Sequence, residues 1–208
     1  MKSKTFEVIR ILEDTYPNAH CALTNENPFQ LLIATILSAQ CTDERVNIVT
    51  QTLFKKYKTP LDFTLVPIEE LEHDIYSTGF YKAKARNIQM CCSQLIERFG
   101  GEIPQTMEEL HSLSGVGRKT ANVVLGNAFG KNEGVTVDTH VTRICNLLGI
   151  VSSTNPEKIE RELMEIVPQE KWTIFTHLII SHGRAVCIAR RPKCSECVLS
   201  ALCPSSKV

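Results

Sequence analysis

Four cysteines crowd the end of the chain: Cys187, Cys194, Cys197 and Cys203, separated by six, two and five residues. Four thiols within seventeen positions, interleaved with proline and basic residues, are not core packing. Coordination chemistry offers two readings, a tetrahedral zinc or an iron–sulfur cluster, and spacing alone does not choose between them. A second constellation is the turn Leu113-Ser114-Gly115-Val116-Gly117. Two glycines around a small apolar residue allow a tight hairpin with positive φ, and backbone N–H groups exposed at the start of the next helix can cradle an anion. An ordinary corner between two helices uses the same residues. Lys119 follows directly, in what would be the first turn of that helix. The helix dipole and the neighbouring Arg118 both disfavour an ammonium there, which should push the lysine pKa down toward the neutral amine that Schiff-base chemistry needs. A lysine touching a phosphate is the plainer alternative. Asp138, in Val137-Asp138-Thr139-His140-Val141, reads as the N-cap of an amphipathic helix.

The elements that must position these residues are helical almost throughout. Phe6, Ile9, Leu12 and Tyr16 define a first helix ending before Pro17. Asn27 and Pro28 form an N-cap followed by proline at the first helical position, opening a buried helix to about Ala39. Further helices carry Val46 to Tyr57, Ile68 to Ile75, and Ile88 to Phe99, the last stopped by Gly100 and Gly101. Met107, Leu110 and Leu113 mark a short helix before the glycine turn, and another runs from about Arg118 to Phe129. Beyond Asp138, Val141, Ile144, Cys145 and Leu148 point inward; Asn155-Pro156 opens a further helix, and Trp172, Phe175, Leu178 and Ile179 line the last. No alternating strand of convincing length exists, so the expected class is all-α. Cys21, Cys41, Cys91, Cys92 and Cys145 lie in apolar helical context and read as small core residues.

Hydrophobic residues at 43% and charged residues at 22% suit a soluble globular protein with a real core. The charged, amphipathic N-terminus is unlike a signal peptide, and the most apolar run, Phe29 to Ala39, is too short to span a membrane, so a cytoplasmic protein is expected. Lys and Arg number 23 and Asp and Glu 23, so contact with a polyanion has to come from local clusters rather than net charge. There are three such clusters: Arg184, Arg190, Arg191, Lys193 and Lys207 against the single acid Glu196; Lys82, Lys84 and Arg86; and Arg118 with Lys119.

The string from Leu110 to Ala121, through Leu113-Ser114-Gly115-Val116-Gly117-Arg118-Lys119-Thr120, closely resembles the helix–hairpin–helix motif of DNA repair glycosylases. The four-cysteine spacing, the Val137-Asp138-Thr139-His140 string and Leu37-Ser38-Ala39-Gln40 resemble the endonuclease III family, over nearly the whole chain. That resemblance implies two helical lobes with a DNA-binding cleft: a six-helix lobe over residues 22–131 carrying the hairpin, and a discontinuous lobe over 1–21 and 132–208 holding a [4Fe–4S] cluster on Cys187, Cys194, Cys197 and Cys203. It also implies a base-excision repair enzyme, a glycosylase with abasic-site lyase activity acting on oxidised or ring-saturated pyrimidines in duplex DNA, as a monomer associated with the nucleoid through DNA. Lys119 would be the nucleophile, and Asp138 would stabilise positive charge on the sugar across the cleft. Gly115, Val116, Gly117, Arg118, His140, Arg184, Arg190, Arg191 and Lys193 would contact the DNA backbone. Gln40 would fill the gap left by a flipped base, and Phe80, in Gly79-Phe80-Tyr81, would wedge into the opposite strand. The cluster would staple its loop rather than take part in the hydrolytic chemistry.

Departures from the family are few: Ser114 stands where proline is usual, which suggests a looser turn, Cys41 where alanine is common, and Phe80 where leucine is frequent. Three other readings are open. One is a monofunctional glycosylase of the same superfamily, although the acid that the adenine-specific enzymes need in the helix has no counterpart in Leu31 to Ser38. The others are a non-catalytic DNA-binding module with a four-cysteine zinc site, and a redox protein built on the cluster.

Overall fold

The computed structural model describes residues 2–208. Among them there is no β-strand, so the class is all-α, as expected. Nor is any described helix long and apolar enough to cross a membrane. The chain divides into two compact units, one from Ala22 to Lys131 and one from the flanking segments, up to Cys21 and from Asn132 to Val208.

The central unit is built around α2 (Pro28–Leu37). Asn27 caps it by accepting from the Gln30 amide at 2.9 Å, with proline at the first position, and Phe29 to Leu37 are all buried. Burial on every side makes α2 the core of this unit rather than one of its faces. Around it lie α3 (Asp43–Lys56), α4 (Pro60–Leu65), α5 (Ile68–Asp74), α6 (Tyr81–Phe99), α7 (Met107–His111) and α8 (Arg118–Phe129). Helix α8 packs on α2, and α4 packs on α6. Helical periodicity predicts six helices in this stretch; the seventh is α4. It is six residues long and buries only Phe63, too little for a periodic signal, but Thr59 and Asp62 form a reciprocal capping box around Pro60. That box was the available clue. Helix α6 ends at Gly100 in the left-handed conformation, with the Gly101 amide returning to the Leu95 carbonyl at 3.0 Å.

The flanking unit joins α1 (Lys2–Thr15) to α9 (Thr139–Leu147), α10 (Pro156–Ile166) and α11 (Trp172–Ala185), followed by a loop with two short 3₁₀ turns. Val8 and Leu12 of α1, Val141, Ile144 and Cys145 of α9, Ile159 and Leu163 of α10, and Phe175 and Ile179 of α11 share one core. Cys91, Cys92 and Cys145 are buried as expected; Cys21 and Cys41 are only half-buried, because each lies in a connection rather than on a helix face.

Candidate functional site

The hairpin joins α7 to α8. Gly115 adopts φ +76, and a Cβ there would fall 2.9 Å from Asn87 Cβ on α6, so both backbone and packing require glycine. Gly117 corrects the expectation of two positive-φ glycines: it has φ −84 and ψ 172, an extended N-cap conformation that any residue can adopt, and open space where a side chain would go. Its lack of a side chain leaves the start of α8 uncovered, and no side chain caps that end of the helix. Val116 is buried, and its amide closes the turn onto the Leu113 carbonyl at 3.1 Å, so it anchors the hairpin from within. Ser114 does not loosen the turn. Its amide donates to Gln94 Oε1 of α6 at 2.8 Å, a bond that proline, lacking an N–H, could not make. Arg118 and Lys119 are exposed in the first turn of α8, directly beyond the turn.

Two other residues of this unit stand out by their backbones. Gln40 (φ +53) and Phe80 (φ +49) are the only non-glycine residues with positive φ among those described. A left-handed conformation costs a residue with a Cβ roughly 1–2 kcal/mol. Both side chains are exposed, Phe80 at 65%, so no core packing explains the strain. Such conformations persist only where the surrounding structure holds them, and they cluster at functional sites. Lys84, three residues into α6, corrects the reading of a basic surface cluster with Lys82 and Arg86. Its side chain is buried, and its ammonium donates to the carbonyls of Leu37 and Thr78, each at 2.8 Å. Lys82 and Arg86 are exposed.

In the flanking unit, Asp138 is the N-cap of α9. Its Oδ1 accepts from the Val141 amide at 2.8 Å, and its Oδ2 lies 2.9 Å from His140 Nδ1. An ionised carboxylate only accepts, so the His140 ring carries its proton on Nδ1 and donates it. Both oxygens are therefore fixed in direction. Gly183 is not singled out by the sequence analysis, although a glycine inside a helix is itself a signal of close packing. A Cβ on Gly183 would fall 2.7 Å from His140 Cδ2 and 2.9 Å from Ile144 Cδ1, so α11 approaches α9 closely only because that residue is glycine.

The four C-terminal cysteines line one cavity of about 180 Å³, walled by Arg143 and Ile144 of α9, His182 of α11 and the loop itself. A single tetrahedral zinc, with bonds near 2.3 Å, needs its sulfurs about 4 Å apart. Among the described residues, no three potential ligands converge enough to hold one metal ion. All four cysteines line the same cavity, and a donor set made of cysteine sulfur alone is one that an iron–sulfur group takes. Two residues not singled out in the sequence contact the ligands. The Arg143 guanidinium donates to the Cys187 carbonyl at 2.7 Å and lies 3.5 Å from its sulfur. His182 Nε2 lies 3.5 Å from Cys197 Sγ, and its Nδ1 is 3.1 Å from Tyr16 Oη. Burial, and then the Arg143 charge, push the His182 pKa down to about 4. Arg184 at the end of α11, and Arg190, Arg191 and Lys193 in the loop, are exposed.

Residues 33–169 match the HhH-GPD superfamily of base excision DNA repair proteins, and residues 187–203 match the iron–sulfur binding domain of endonuclease III. The chain is 53% identical over 206 residues to endonuclease III of Synechocystis, covering 99% of this chain and 94% of that protein. It is 50% identical to endonuclease III of Bacillus subtilis (91% and 87% covered) and 41% identical to that of Escherichia coli K12 (97% and 95%). A solved structure of a trapped endonuclease III–DNA covalent intermediate superposes with a TM-score of 0.95 at 48% identity, covering 100% of this chain and 97% of that one. A thermostable thymine-DNA glycosylase superposes with a TM-score of 0.86 at 26% identity (99% and 97%). The hairpin before an exposed lysine, the fixed aspartate at the head of α9 and the four-cysteine loop thus occur together in a chain that belongs to the endonuclease III family, within the helix–hairpin–helix superfamily of base-excision repair proteins.

Proposed function

We propose that this protein, acting as a monomer, removes oxidised or ring-saturated pyrimidines from duplex DNA and cleaves the resulting abasic site through a Lys119 imine. The reaction class, DNA glycosylase with abasic-site lyase activity, follows from family membership, as does the [4Fe–4S] cluster of the cysteine loop. What supports Lys119 most is its position: an exposed amine in the first turn of α8, two residues beyond Gly117, where a phosphate held at the hairpin would bring the sugar within reach.

In this reading the neutral Lys119 amine attacks C1′ as the bond from C1′ to the base breaks, and the base leaves taking a proton. The resulting N,O-acetal opens by breaking its C1′–O4′ bond, the ring oxygen taking a proton, to give an iminium. Loss of a C2′ proton then expels the 3′ phosphate, and water releases the product and restores the amine. Asp138 stabilises the positive charge that develops on the sugar, its carboxylate held in one orientation by Val141 and His140. The Gly115 and Gly117 amides and Arg118 hold the DNA backbone, with Val116 as the anchor of the turn. His140, Arg184, Arg190, Arg191 and Lys193 neutralise further phosphates. Gln40 fills the space of the extruded nucleotide, and Phe80 enters the opposite strand. Cys187, Cys194, Cys197 and Cys203 hold the cluster, which fastens the basic loop.

Borohydride trapping on a duplex carrying one thymine glycol tests this. Wild type should form a covalent protein–DNA species and, without borohydride, a nicked strand; Lys119→Gln should lose both by at least about a thousandfold. Base release without trapping or nicking would make the protein a monofunctional glycosylase. No reaction on either oxidised pyrimidines or abasic sites would leave a DNA-binding module.

A further inference from the structure

The buried Lys84 is unused by the mechanism above, and a buried ammonium is costly unless each donor is matched. Its two acceptors lie far apart in sequence. Leu37 is the last residue of α2, where carbonyls lack helical partners and the dipole is negative. Thr78 closes the 3₁₀ turn Tyr76–Thr78. Leu37 stands three residues before Gln40, and Thr78 two before Phe80. The Lys84 amide also donates to the Phe80 carbonyl at 3.0 Å, so both its main chain and its side chain hold that segment.

We propose that Lys84 is a positioning residue: a clamp that ties the end of α2 to the turn before α6 and so holds Gln40 and Phe80, in their left-handed conformations, at a fixed separation for joint entry into the duplex. This rests on the reading of Gln40 and Phe80 as the residues that enter DNA. Lysine suits the task because its ammonium offers three donors and no acceptor, and its stem reaches from the first turn of α6 to two backbones at once. An apolar residue would fill the same space but leave two inward-facing carbonyls unmatched, and the two segments would then be joined by side-chain packing alone. Burial pushes Lys84 below the ordinary lysine range, and the neighbouring Cys41 opposes that shift.

The test uses the full-length, cluster-loaded protein. In Lys84→Met, amide hydrogen exchange should quicken at residues 39–41 and 79–81 while the core of α2 and α6 keeps its protection. Single-turnover cleavage of a duplex with one abasic site should fall on the order of tenfold or more. In a Gln40→Ala/Phe80→Ala background the same substitution should cost little further, because its effect passes through those two side chains. Lys84→Gln, a shorter donor, carries the same test if Lys84→Met does not fold. Unchanged exchange at both segments overturns the clamp, and so does an equal loss of cleavage in both backgrounds, the mark of a merely structural role. A Gln40→Ala/Phe80→Ala protein that cleaves like wild type, whatever the exchange shows, instead removes the reading of those residues on which the clamp depends.

Discussion

Two glycines of the hairpin, identical in the sequence pattern, do different things. Gly115 needs its left-handed backbone and the space beside Asn87; Gly117 needs neither. Gly115→Ala should therefore destabilise the protein by about 1–3 kcal/mol, from the left-handed penalty and the clash with Asn87 Cβ. Gly117→Ala should cost less, up to about 1 kcal/mol, because alanine is a poorer N-cap than glycine but meets no clash there. It should nonetheless weaken binding to an abasic duplex, because a methyl group would stand over the start of α8. Denaturant unfolding paired with binding titrations at matched salt checks this, and equal stability losses in the two variants would refute it. Ser114 makes a similar point. Where the family usually has proline, this chain has an amide that pins the turn to Gln94, so rigidity is reached by a hydrogen bond instead of a ring.

Helix α9 begins on a residue with two tasks. Asp138 caps the helix through the Val141 amide and, in the proposed mechanism, presents negative charge to the sugar. The tasks separate by substitution because asparagine caps nearly as well as aspartate but carries no charge. Asp138→Asn should keep thermal stability within about 0.5 kcal/mol while lowering base release on the order of a hundredfold. Asp138→Ala should lose the activity and also about 1 kcal/mol of stability. If Asp138→Asn retained full base release in single-turnover assays, the aspartate would be a cap and nothing more. Gly183 supports this element from α11, since any side chain there would displace the His140 ring that steadies the carboxylate.

For the molecule as a whole, the two units differ in what holds them. The central unit has α2, buried on all sides, as its core. In the flanking unit the cysteine loop contributes the buried Leu199 but otherwise consists of short turns around the thiol-lined cavity. If the cluster staples this loop, as proposed, its order should depend on the metal group. Cys203→Ser should lower the thermal midpoint by roughly 5–10 °C, equivalent to about 2–3 kcal/mol at this size. It should bleach the iron–sulfur absorbance and move the first protease cuts into residues 187–203. A variant that loses the absorbance yet keeps both midpoint and protease resistance would mean that the loop holds itself.

Much of this was legible in the sequence because it depends on local rules. Helical period, the Asn27, Asp138 and Asn155 caps, the glycine stops and the cysteine spacing each act within a few residues, so the chain alone determined an all-α class and a metal-binding loop. The hairpin with Lys119 and the Val137-Asp138-Thr139-His140 string are legible for the same reason, each as a short continuous motif. What the tertiary structure alone decided were pairings between residues far apart: Gln94 with Ser114, Asn87 with Gly115, Gly183 with His140, and Lys84 with Leu37 and Thr78. Lys84 is the sharpest case. Between Lys82 and Arg86 it reads as one more surface charge, and no local rule distinguishes it from them. Only the fold, by bringing the end of α2 and the turn before α6 to one lysine, makes it a buried donor for two backbones.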